Sequence, residues 1–125
     1  MKPRDSALRA KRFEAAEKAR KVTLLESMIR DFEIMAVDLA RQIAAEEDRT
    51  GVKDPAHFAY STFAKAASQR RSNLLTSVAD LRVKLDAARH DHEEASAELR
   101  KLEPADARDS DRLHTKGDRD GALIG

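Results

Sequence analysis

Arg49-Thr50-Gly51-Val52-Lys53-Asp54-Pro55 is the only place between Ser6 and Leu102 where a helical pattern is broken and restarted. Gly51 suits the left-handed residue that ends a helix, because a residue without a Cβ takes positive φ at little cost. Asp54 followed by Pro55 has the order of an N-cap and a first helical position. The expected fold is all-α, a long two-helix antiparallel coiled-coil hairpin, with helix 1 over about 6–50, a turn at 51–54 and helix 2 over about 55–103. Ser61 is an alternative start for helix 2, leaving Ala56 to Tyr60 as a short turn.

Working outward from the turn, both arms carry heptads. Asp5-Ser6 offers a cap for helix 1, and its seam runs Leu8, Lys11, Ala15, Lys18, Val22, Leu25, Ile29, Phe32, Ala36, Leu39, Ile43 and Glu46. Helix 2 alternates steps of four and three from Tyr60 through Ala64, Ala67, Arg71, Leu74, Val78, Leu81, Leu85, Ala88, His92, Ala95 and Leu99 to Leu102. In an antiparallel pair the numbers of facing seam residues add to a constant. Sums of 103 and 110 both satisfy these seams, and a turn centred near Lys53 prefers 110. Phe32 then faces Val78, Ile29 faces Leu81 and Leu25 faces Leu85, while Lys18 against His92 and Ala15 against Ala95 make thin contacts toward the open end.

With 38% charged and 4% aromatic residues over 125 positions, the buried surface is a narrow stripe on an elongated molecule. So thin a core is marginal alone, and a partner or a second copy is expected. The net charge of +1 hides blocks of +5 (1–22), −4 (23–50), +4 (51–85) and −3 (86–103). Folding back at Gly51 sets opposite blocks side by side, whereas a parallel homodimer sets like against like. Past Pro104 the periodicity stops, and 104–125, rich in Asp, Arg and Gly, reads as a disordered tail. There is no cysteine, no apolar leader after Met1, and no run near the roughly 20 apolar residues of a membrane span, so a cytoplasmic protein without membrane insertion is expected.

Candidate contact residues fall off the seam or at the turn. Phe58, Tyr60 and Phe63 either plug the closed end against Ile43 or form a docking knob, since Tyr60 and Phe63 do not both fit one seam. Leu24, Met28 and Met35 widen the seam along one flank of helix 1; Ile34 and Val37 lie on its back, where a solvated coil is polar, and mark a second interface. The basic run Arg9, Lys11, Arg12, Lys18, Arg20 and Lys21 is either a face paired with the opposing acidic block or a contact for an anionic membrane surface, an acidic protein or nucleic acid. A near-neutral chain with no aromatics among these charges speaks against nucleic acid. Arg71 occupies a seam position, from which it, with Arg70 beside it, snorkels over Leu39 or reaches for a carboxylate. His90 and His92 are two apart on a helix and point to nearly opposite sides, which is no metal site. Asp118-Arg119-Asp120-Gly121 starts like a calcium loop without its closing glutamate. No phosphate loop or nucleophile elbow is present, and neither an enzyme nor a cofactor is expected.

Arg4-Asp5-Ser6 with Arg12-Phe13 and Glu17-Lys18, Ile29-Arg30-Asp31-Phe32-Glu33 with Met35-Ala36, and above all Asp54-Pro55-Ala56-His57-Phe58-Ala59-Tyr60 with Phe63-Ala64-Lys65-Ala66-Ala67 and Arg70-Arg71 carry a likeness. Over residues 1 to about 103 the chain resembles the flagellar export protein FliJ family. The block from Asp54 to Arg71 is its specific part, because heptads alone match any coiled coil. That resemblance implies a soluble, non-catalytic component of type III flagellar export, at the cytoplasmic face of the inner membrane. Its implied partners are the export ATPase ring and the export gate protein, with export substrates or chaperones as further ones. Two other readings stand beside it: a coiled-coil finger acting on RNA polymerase through tip acids Asp48 and Asp54, and a homodimeric scaffold.

Overall fold

A computed structural model describes residues 3–103, and the expected tail at 104–125 lies outside the described residues. Within them the fold is two long antiparallel α-helices, α1 (Pro3–Thr50) and α2 (Thr62–Leu102). Helix α1 already includes Pro3, so Asp5 and Ser6 lie in its first turn instead of capping it. Proline is tolerated there because the first-turn N–H groups have no helical acceptor. At the other end Gly51 takes φ of +76° and its N–H donates to Glu47 O at 2.9 Å, the left-handed stop anticipated from the sequence.

Helix α2 begins at Thr62, not near Pro55. Asp54 does cap, but it caps a turn: its Oδ1 accepts the Ala56 N–H at 2.9 Å and its carbonyl accepts the His57 N–H at 3.0 Å. A second turn follows, with the Tyr60 N–H donating to His57 O at 3.0 Å. Ser61 is the helix cap, its Oγ accepting the Ala64 N–H at 3.2 Å. Of the two starts the sequence allows, the later one forms.

The chain packs as two units, Ala19–His90 and, among the described residues, 3–18 with 91–103. In the first, Leu25, Ile29, Val78, Leu81, Leu85 and Ala88 form the core, with Val22, Met28 and Phe32 packed against it. Nearer the turn Ala36, Leu39, Ala64 and Ala67 are buried, three of the four being alanine. In the second unit Leu8, Ala15 and Ala95 are buried. The division falls beside Lys18 and His92, the polar layer of the seam.

Salt bridges on the flank select the register. If seam partners add to 110, the positions just outside the seam on one side must pair with numbers adding to 115. Arg82 donates to Glu33 at 3.1 Å and Arg89 to Glu26 at 3.5 Å, and both pairs have that sum. The register of 103 demands other partners for all four residues. At about half exposure these bridges each contribute little energy. Their value is geometric, since a slip of one heptad breaks both at once.

Candidate functional site

The segment between the helices is held by its own hydrogen bonds. Besides the two turns, Thr50 Oγ1 accepts the Val52 N–H at 3.3 Å, and Nδ1 of His57 accepts the Ala59 N–H at 3.0 Å. Two bonds tie its far side to α1: the Tyr60 hydroxyl donates to Glu47 Oε2 at 2.8 Å and the Ser61 hydroxyl to Glu46 Oε1 at 2.9 Å. Arg49 grips Glu46 from one turn further along. The Arg49 and then the Ser61 hydrogen bonds hold the Glu46 carboxyl below its ordinary range, and Glu46 in turn raises Arg49. Glu47, by accepting the phenol's hydrogen bond, pushes Tyr60 up.

What this scaffold presents is Phe58, which is 96% exposed, with its ring stacked on His57 at 4.6 Å between centroids. The three aromatics thus separate. Tyr60 is half-buried and hydrogen-bonded to α1, Phe58 stands in solvent, and Phe63 is 54% exposed on the first turn of α2. Both tip acids are engaged: Asp48 pairs with Lys53 at 3.4 Å, and Asp54 caps its turn.

Arg70 and Arg71 are exposed and line different hollows. Arg70 borders one of about 470 Å³ whose apolar side is Phe32, Met35, Leu39 and Leu74. Arg71 borders another of about 390 Å³ with Val37, Ala40 and Leu75. Of the expected flank, Met28 joins the core, whereas Leu24 and Met35 remain exposed. Ile34 and Val37 are about half exposed on the back of α1.

In the basic run Arg9 and Arg12 are exposed, while Lys11 bonds Glu98 at 2.7 Å and Glu14 at 3.2 Å. The Glu98 hydrogen bond, followed by that of Glu14, raises Lys11, and Lys11 lowers Glu98. Here the basic block does face the acidic one. Leu75 and Val83 are exposed apolar residues that the sequence reading did not single out, and Phe13, quoted there only for the family likeness, is exposed as well. A signal was available for Phe13, which lies two residues past the seam position Lys11.

Among the described residues no helix is long and apolar enough to cross a membrane, and no group of three or more His, Cys, Asp or Glu is placed to hold a metal ion. No family model, curated protein or solved structure matches this chain.

Proposed function

We propose that this protein is a non-catalytic stalk or escort of flagellar type III export, linking the export ATPase ring to the export gate at the cytoplasmic face of the inner membrane. The observation that carries this reading is the closed end: Phe58 bare in solvent on a segment whose backbone is already tied down. An aromatic anchor with little ordering left to do is the residue type that dominates protein interfaces. It lies within the Asp54–Arg71 block that most resembles the FliJ family. The antiparallel helix pair supports the same reading, and so does the exposed Arg70-Arg71 step, which suits carboxylates on a gate surface.

The mechanism is mechanical. Changes in the ATPase ring are passed through the helix pair to the gate, and the chain touches no nucleotide. Purified full-length protein is expected to bind the export ATPase and the cytoplasmic domain of the gate, and to raise ATP hydrolysis. Phe58→Ser is expected to weaken gate binding by roughly tenfold or more while leaving helicity unchanged. Failure to bind either component, or full motility in a deletion strain, refutes the assignment. The RNA polymerase reading is the weaker one, since Asp54 caps its own turn and Asp48 already faces Lys53.

A further inference from the structure

Val37 lies at the middle of a short ridge on α1 that runs from the flank of the seam toward the back of the helix. Glu33, Val37 and Arg41 follow at intervals of four, and all three line two hollows, one on each side. Ile34 and Asp38 lie along the first, Ala40 and Leu75 along the second. A ridge of this spacing between two grooves is the surface by which helices pack on one another. Ile34 and Val37 are 54% and 51% exposed, so among the described residues nothing covers this surface.

The charge pattern names the occupant. We propose that this face pairs with the same face of a second copy about a two-fold axis through Val37. That axis brings Glu33 to Arg41 of the second copy, and Arg41 to its Glu33. It also places Ile34 over Ala40 and leaves Arg30 opposite Ala44, so between positions 30 and 44 no like charges face each other. Neighbouring axes do worse. One midway between Ile34 and Val37 sets Glu33 against Asp38 and Arg30 against Arg41; one through Ile34 pairs Arg30 with Asp38 but buries Val37 against Asp31. Within the chain Glu33 already receives Arg82 at 3.1 Å and Arg41 reaches Asp38 at 3.7 Å. Each ridge charge nevertheless keeps a face to water, Glu33 at 47% and Arg41 at 78% exposure, with room for a second partner.

Sedimentation equilibrium of the full chain tests this, with a mass rising toward twice the monomer as concentration increases. Arg41→Glu and Glu33→Arg each weaken self-association by about tenfold or more, and the double variant restores it because the exchanged charges meet again in the other copy. Val37→Cys supplies a second readout that a folding defect does not mimic. The chain has no cysteine, so this variant cross-links with itself on mild oxidation, whereas Val83→Cys on α2 does not. Monomer mass at every concentration overturns the proposal. So does a double variant as weak as the singles, equal cross-linking at 83, or capture of another protein by this face in a monomeric chain. Self-association and export function fail separately, since loss of binding to ATPase and gate leaves the dimer measurements unaffected.

Discussion

Gly51 holds φ of +76° with nothing within 4 Å of the place a Cβ would occupy. Its requirement is therefore purely conformational. Gly51→Ala is expected to lose about 1 kcal/mol in urea unfolding, and Gly51→Asn less, because asparagine tolerates the left-handed region. Tyr60 shows how one hydroxyl ties the segment to α1. Its phenol is raised by donating to Glu47, so its contribution is present below the ordinary value of 10.0 and is lost as pH rises through the folded-state value. Stability measured from neutral to strongly alkaline pH should fall more in the wild type than in Tyr60→Phe. An identical alkaline slope in the two would rule out the Tyr60–Glu47 bond as the cause.

At the scale of the element, the start of α2 turns on which of two adequate caps is used. Asp54-Pro55 and Ser61 both satisfy local rules, and the alanines between them favour neither. The Ser61 hydroxyl does two things at once, accepting from Ala64 and donating to Glu46 on the other helix. Ser61→Ala is accordingly expected to destabilise by about 1 kcal/mol, with fraying at Thr62 to Lys65 visible in amide exchange. The seam allows a sharper contrast. Leu81 is 7% exposed in the core and Leu75 is 40% exposed on the flank. Truncation to alanine should cost about 2–5 kcal/mol at Leu81 and under about 1 kcal/mol at Leu75 in denaturant titration. Equal losses would mean that the seam is misplaced by a heptad position.

For the whole molecule, stability depends on carboxylates held against bases in both units. Glu98 beside Lys11, and Glu46 beside Arg49 and Ser61, have lowered folded-state values. Their contribution is complete above the ordinary 4.5 and is lost as pH falls through the folded-state values. Urea midpoints should drop on acidification below 4.5, and Lys11→Gln should flatten part of that drop. A midpoint constant down to pH 3 would be incompatible with this account. Much of the molecule was legible beforehand. Most seam positions, Arg71 and Leu102 being exposed exceptions, the antiparallel sense and the stop at Gly51 follow from spacing, opposed charge blocks and one residue lacking a Cβ, all properties of the linear chain. The turn position only favoured the register of 110 over 103, and the start of α2 and the separate fates of Phe58, Tyr60 and Phe63 did not follow. They were settled only when Glu26, Glu33, Glu46 and Glu47 on α1 met Arg89, Arg82, Ser61 and Tyr60 across the hairpin. A heptad repeats every seven residues and looks alike after each repeat, so periodicity admits several alignments; contacts between residues far apart in sequence choose one.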